Sequence, residues 1–255
     1  MQHGYFIGHD LARIGMTTTN ENVGLNDAID ALDSLHNYRD WILDEFGAAI
    51  KGHTVEIGAG SGNISEKLLQ IVSSIDAVEP STELSDRLTA RLGDRDNITI
   101  YNVSAEDWLD AVEPESCDTI IMVSVLEHIE DDVGALGKMH RALRPGGALL
   151  IFVPALMYLF SKLDHEHGHF CRYEKRELAL KVEGAGFEIV RNKYIDLIGI
   201  VPWLIFNKWM QKTEFDEGMV RLYDRFGIPL TRFIEKFSGS PLGKNVLLIG
   251  EKPAS

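Results

Sequence analysis

The chain lacks several features that would place it in common classes. It has only two cysteines, Cys117 and Cys171, in 255 residues. That gives no disulfide framework and suits a reducing compartment, so a cytoplasmic protein is expected. No apolar run approaches the ~18 residues of a membrane span. One such run, Leu197–Phe206, is interrupted by Pro202. The first twenty residues lack a basic segment followed by a long apolar run, so no signal peptide is expected and 1–20 read as a flexible N-terminus. Positive charge is also in deficit: 25 Lys and Arg stand against 39 Asp and Glu, a net charge of −14. That balance argues against a broad nucleic-acid surface. No repeat or low-complexity segment appears.

What the chain does contain is a glycine turn. Val55-Glu56-Ile57-Gly58-Ala59-Gly60-Ser61-Gly62-Asn63 reads as a buried strand carrying an acid, then glycines at every second position. A polar helix start, Ile64-Ser65-Glu66, follows. Without a Cβ in the way, backbone N–H groups at a helix N-terminus can approach a ligand closely. The dinucleotide fingerprint G-x-G-x-x-G needs its third glycine at position 63, where Asn63 stands. A P-loop needs Gly-Lys-Ser/Thr, which is absent here.

Apolar periodicity places elements around this turn. A helix is expected over about 21–50, with Leu25, Ile29, Leu32, Trp41, Ile42 and Phe46 at helical spacing. Strands are expected at Thr54–Ile57, Ile75–Glu79, Ile98–Tyr101, Thr119–Val123, Ala148–Val153, Phe187–Lys193 and Asn245–Gly250. Helices are expected at Asn63–Ser73, Thr82–Leu92, Val133–Leu143 and Lys175–Glu183, and Arg144-Pro145-Gly146-Gly147 reads as a helix stop and turn. This alternation predicts an α/β fold: a doubly wound, mostly parallel, seven-stranded sheet in one domain over 21–255. Its core is 51–194. About fifty residues, 195–244, separate strands six and seven, well beyond a hairpin loop. Two apolar helical patterns there predict a helical insertion, packed on the sheet and capping the site.

The strand ends carry the chemistry, because ligands in open α/β sheets sit at carboxyl ends near the switch point. Strand two ends at Glu79-Pro80, and a carboxylate there can accept two hydrogen bonds from vicinal ribose hydroxyls. Strand three is followed by Ser104-Ala105-Glu106-Asp107. Strand four runs from Val123 into Ser124-Val125-Leu126-Glu127-His128.

Glu56-x-Gly58-x-Gly60-x-Gly62, the Leu-Glu-His segment and Pro145-Gly146-Gly147, in that order, resemble class I S-adenosylmethionine-dependent methyltransferases. The resemblance covers about Lys51 to Pro154. It implies a Rossmann-like fold, S-adenosyl-L-methionine as donor and S-adenosyl-L-homocysteine as product. Donor contacts are implied for Tyr38, Glu56, Gly58, Gly60, Gly62, Glu79, Pro80, Ser104, Ala105, Glu106 and Val123. Ser104 stands where the family often has Asp, so Glu106 or Asp107 is an alternative adenine reader. Asn37-Tyr38-Arg39-Asp40-Trp41, Asp164 with Gly168-His169-Phe170-Cys171-Arg172-Tyr173, and the tail through Trp203 and Leu222-Tyr223-Asp224-Arg225 look like one bacterial subgroup. That subgroup is associated with glycosyltransferases and cell-surface polysaccharide or lipid pathways. Cys171 replaces an arginine usual in it. The resemblance implies a small-molecule or glycan/lipid-linked acceptor, methylated at oxygen. Its contacts would be Glu127, Asp164, Arg172, Tyr173 and Trp203, with Phe206 and Trp209 as further lining. Leu197–Phe206 permits a lipid-bearing acceptor or peripheral membrane contact, and buried packing explains it equally.

Methyl transfer is an in-line displacement at a sulfonium, so alignment and exclusion of water contribute much of the rate. An oxygen acceptor also sheds a proton, and His128 and His169 are the candidate bases. His128 has a structural alternative in capping or packing the next helix, and His169 has one as a partner of Asp164 or Tyr173. The run His165-Glu166-His167-Gly168-His169-x-Cys171 invites a metal reading, since alternation can put its ligands on one side. Tight alternation rarely closes a tetrahedral site alone, and no metal is expected. Competing functions are a catalytically inactive methyltransferase-like subunit that binds a partner enzyme, an oxidoreductase disfavoured by Asn63, and aminopropyl transfer, for which an acidic polyamine-site signature is lacking.

Overall fold

The computed structural model describes residues 35–211, 217–238 and 240–254. Its centre is a seven-stranded sheet: β1 His53–Ile57, β2 Ser74–Val78, β3 Ile98–Tyr101, β4 Cys117–Val123, β5 Leu143–Pro154, β6 Glu188–Ile195 and β7 Asn245–Glu251. The order is β3-β2-β1-β4-β5-β7-β6. The first five strands pair in parallel, and β7 runs antiparallel between β5 and β6. Strand order reverses between β1 and β4, which opens a crevice at their carboxyl ends.

The strands are apolar on both faces because helices cover both. On one face Leu149, Ile151 and Val153 pack with Trp108, Leu136, Met139 and Leu178. On the other Leu150 and Phe152 pack with Trp41, Phe46, Leu68 and Leu88. Alternation along β5 thus serves two cores.

Several elements differ from the periodicity. Within the described residues the N-terminal helix spans His36–Phe46, and Gly47 at φ +49° ends it before residue 50. Residues 21–34 lie outside the described residues. The expected helix 63–73 stops at Leu68 and closes in turns, with Ser73 N–H bonded to the Gly52 carbonyl. Arg144–Gly147 is not a turn ahead of the strand: pairing begins at Leu143, and these residues form a bulge before Thr119 meets Ala148. Helices Ala105–Ala111 and Lys162–Glu166 escaped the periodicity because each has under two turns of apolar repeat. Both are instead signalled by capping serines, Ser104 and Ser161.

Between β6 and β7 the described chain is helical at Ile200–Pro202, Trp203–Trp209, Glu217–Leu222, Tyr223–Gly227 and Ile228–Ser238. Two of these, Trp203–Trp209 and Tyr223–Gly227, have the wider π-type turn that appears mostly at functional sites. The segment is tied back to the domain by two buried acids. Asp224 caps the N-terminal helix from outside it, accepting N–H bonds from Tyr38 at 2.9 Å and Asn37 at 3.1 Å. Asp196, fully buried at the end of β6, accepts from the hydroxyls of Tyr38 and Tyr223 and pairs with Lys244 at 3.2 Å.

Because Asp224 supplies the cap that Leu35 lacks, Asp224→Ala is expected to lower stability by about 1–2 kcal/mol. Asp224→Asn, which keeps an acceptor oxygen, is expected to recover part of that. Urea unfolding monitored by circular dichroism measures both.

Candidate active site

The crevice has two sides. On one, β1 ends in the glycine turn, with Gly58, Gly60 and Gly62 at φ +78°, +56° and +87°. The three have different surroundings. A Cβ on Gly58 would meet Val125 at 2.3 Å, and one on Gly62 would meet Leu88 at 2.5 Å. A Cβ on Gly60 would meet nothing within 4 Å. Gly58 and Gly62 are therefore needed for internal packing, and Gly60 is where the backbone faces open space. That is the fit a closely approaching ligand requires.

Glu56 lies behind this turn rather than at its surface. It is buried, accepts a short hydrogen bond from the Ser65 hydroxyl, and burial pushes its pKa up to about 8 against that bond. Glu79 bridges the turn to the next loop: its carboxylate accepts from Gly60 N–H and from Ser81 N–H, both at 2.9 Å. Each oxygen retains a lone pair for a further donor. Pro80 is exposed beside it, and Asn102 clamps the carbonyls of Glu79 and Pro80. Ser104 caps its helix and is engaged with Asp107; Ala105 is buried and Glu106 exposed. Val123 is half-buried at the end of β4.

The other side is a cavity of about 700 Å³ between the carboxyl ends of β4 and β5 and the helical segment before β7. Trp203, Phe206, Met219, Leu222 and Phe226 form its apolar wall. Opposite stand Glu127, His128, Asp164, His169 and Arg172. Ser124 leads into this wall at φ +56°, a conformation uncommon for a side-chain-bearing residue and frequent at functional sites.

Asp164 organises the polar wall. Its side chain is fully buried and accepts from Ser161 N–H at 2.7 Å, Ser161 Oγ at 2.8 Å, Arg172 Nε at 2.9 Å and Arg172 Nη2 at 2.8 Å. His169 Nδ1 lies 3.0 Å from Asp164 Oδ1. Burial alone would raise the acid's pKa, but His169, Arg172 and Ser161 together hold it at about 2. Arg172 stacks on Trp203, its Cζ 4.3 Å from the ring centroid.

Glu127 has a different environment. It is fully buried, and neither carboxylate oxygen has a hydrogen-bond partner. Its own backbone amide and the Arg172 charge favour the ionised form, and the Asp164 charge opposes it. Burial pushes its pKa up to about 8. The rings of His128 and His169 meet edge to face at 4.6 Å between centroids. Burial, then His169 and His167, push His128 down to about 4, so it is neutral at pH 7.

Some expected positions need correction. Tyr173, expected as a substrate contact, does not line the cavity: it is fully buried, and its hydroxyl donates to Asp132 at 2.8 Å. Trp209 is 68% exposed and lies outside the cavity lining. Tyr38 reaches the cavity lining, yet its hydroxyl is engaged with Asp196. Periodicity missed Tyr223, Lys244 and Asn245, which also line the cavity. Tyr223 had a signal only as part of the Leu222–Arg225 tail resemblance, and Lys244 and Asn245 only in standing where the chain leaves the insertion.

A family model described as a methyltransferase domain matches residues 30–192. The chain belongs to this methyltransferase family. An uncharacterized methyltransferase of Bacillus thuringiensis is 29% identical over 116 residues, 45% of this chain. The match spans about half of that relative, 52% of its length. Among solved structures, phosphoethanolamine N-methyltransferase 2 of Haemonchus contortus, in complex with S-adenosyl-L-methionine, is similar at a TM-score of 0.61 and 18% identity. It is matched over 88% of this chain and 56% of that chain. An S-adenosylmethionine-dependent methyltransferase of Mesorhizobium loti is similar at 0.56 and 14%, over 82% and 95%. At these identities the solved structures speak to the fold, which is that of class I methyltransferases.

The Asp164 pair gives a signed pH dependence. The folded pKa of about 2 lies below the unfolded value of about 3.9, so its contribution is complete above about pH 5 and lost as pH falls through 2. That contribution is about 2–3 kcal/mol at pH 7. The stability gap between wild type and Asp164→Asn is expected to narrow by about 1 kcal/mol from pH 7 to pH 3, read from urea midpoints.

Proposed function

We propose that this chain transfers a methyl group from S-adenosyl-L-methionine to a small-molecule or glycan/lipid-linked acceptor, at an oxygen atom. The observation that carries this reading is the pairing of two half-sites across one crevice. A glycine turn open at Gly60 lies on one side, and a large amphipathic cavity lies on the other. In this reading Glu79, with acceptor capacity left beside the Gly60 and Ser81 N–H groups, takes the vicinal hydroxyls of the adenosine ribose. Ser104, Glu106 and Asp107 stand beyond it for the adenine.

The cavity's shape favours an acceptor with an apolar portion and a polar reacting end. The tryptophan and phenylalanine wall suits the former, and the Glu127–His128–His169 corner suits the latter. In the reaction the acceptor oxygen forms the new O–CH₃ bond as the S–CH₃ bond breaks. The electron pair stays on sulfur, leaving S-adenosyl-L-homocysteine. The oxygen's proton leaves to His128 or His169 in the simplest form of the reaction, and the helical segment over the cavity excludes water.

Calorimetry with S-adenosyl-L-methionine and S-adenosyl-L-homocysteine tests the donor half, and absence of binding to either would overturn the enzyme reading in favour of an inactive subunit. Gly60→Val is expected to weaken donor binding at least tenfold, because its side chain occupies the open space beside the turn. His128→Ala and His169→Ala are expected to leave donor affinity intact and cut methyl transfer by about 10²–10⁴-fold if each serves as the base. Transfer is read by mass spectrometry of a host extract incubated with isotopically labelled donor, which also identifies the acceptor atom.

A further inference from the structure

Glu127, His128 and His169 come together from two separate loops. Their candidate ligand atoms all lie within 4.8 Å of one another, the only such group of three or more among the described residues. This is not the run of alternating residues at 165–171. It joins the turn after β4 to the loop after β5, which Phe170 N–H bonds to the Glu127 carbonyl at 2.8 Å.

We propose that Glu127, His128 and His169 bind a divalent transition-metal ion, of the zinc, cobalt or manganese class, with its open positions facing the acceptor cavity. Three observations carry this. The first is the ligand set: two imidazoles and one carboxylate form a known site type in which three protein ligands leave room for substrate.

The second is orientation. His169 Nδ1 is engaged with Asp164, which fixes the ring and leaves Nε2 for an ion. A carboxylate behind a histidine is the usual outer support of a metal-bound imidazole, and here Arg172 and Ser161 hold that carboxylate in turn. His128 meets the His169 ring edge to face at 4.6 Å between centroids, which brings the second imidazole to the same corner.

The third is the charge of the buried wall. Arg172 is committed to Asp164, and Lys244 to Asp196. Glu127 is left fully buried, lining the cavity, with no partner on either oxygen. Buried polar groups in native proteins nearly always have partners. A dication beside the two imidazoles would supply the missing one. Bonds of about 2.0–2.1 Å bring tetrahedral ligands to about 3.3 Å apart, so from separations within 4.8 Å binding draws the three groups together by at most about 1.5 Å. When bound, such an ion would hold an acceptor hydroxyl toward the donor and acidify it, its proton passing to water, with His128 and His169 then serving as ligands in place of bases; this deepens the methyltransferase reading without being required by it.

The test uses the untagged, chelator-stripped full-length protein titrated with cobalt(II), followed by visible absorption, with zinc as competitor. One equivalent is expected to bind with a dissociation constant in the micromolar range or below. Glu127→Gln is expected to weaken binding at least a hundredfold. Asp164→Asn, acting behind His169, is expected to weaken it by about 10–100-fold. Circular dichroism and thermal unfolding confirm that each variant folds, and His128→Asn provides an independent ligand loss should Glu127→Gln unfold. Wild-type affinity weaker than about 1 mM, or equal to that of the ligand variants, would overturn the proposal. Calorimetry with S-adenosyl-L-methionine on the stripped protein separates the two readings. Donor binding without metal binding removes only the metal site, and metal binding without donor binding removes only the methyltransferase assignment.

Discussion

The Asp164 carboxylate sits in a fully buried position and gathers the Ser161 backbone and hydroxyl, the Arg172 guanidinium and the His169 ring. A buried charge persists only when fully compensated, and these donors compensate it. The consequence is geometric. Ser161 fixes the start of a short helix, Arg172 is turned so that its face stacks on Trp203, and His169 is aimed at the Leu-Glu-His turn. Three loops are thereby locked to one another at the carboxyl edge of the sheet. The contrast with Glu127 follows directly: the nearby guanidinium is already committed, so the second acid of the wall lacks a counterpart in the protein.

The helical segment before β7 is bound to the domain by the same physics. Asp196 and Asp224 are buried acids whose partners come from the N-terminal helix, the insertion and the approach to β7. These charged hydrogen bonds fix where the aromatic wall stands relative to the sheet. The outer surface is different in character. Leu230, Phe233 and Phe237 are exposed there, while Ile228 enters the core beneath the sheet's N-terminal helix. The insertion is thus anchored through its inner face, and the cavity lies between that anchor and the strand ends.

How much was legible in the sequence depended on range. The helix at Thr82–Leu92 falls where the apolar spacing puts it, because Leu88 and Leu92 face one core. Strand Asn245–Glu251 is likewise marked by a continuous apolar run buried on both faces. Arg144–Gly147 has the local signature of a turn, because Pro and Gly signal a break, while the pairing of β4 with β5 absorbs the break as a bulge. Tyr173 was placed in the site by its neighbours in sequence. Its side chain points the other way, as alternation along an extended segment allows.

The sequence by itself determined the doubly wound sheet, the glycine turn and the segment after β4, since each rests on local conformational preference or on period. It also fixed which residue types could do chemistry. Only the tertiary structure decided that Gly60 faces open space while Gly58 and Gly62 serve packing. It alone decided that Glu127 is buried without a partner, and that His128 meets His169 across 41 positions of chain. The reason is physical: burial, charge compensation and ligand geometry are properties of neighbours in space, and the loops that supply those neighbours are brought together only when the sheet has closed.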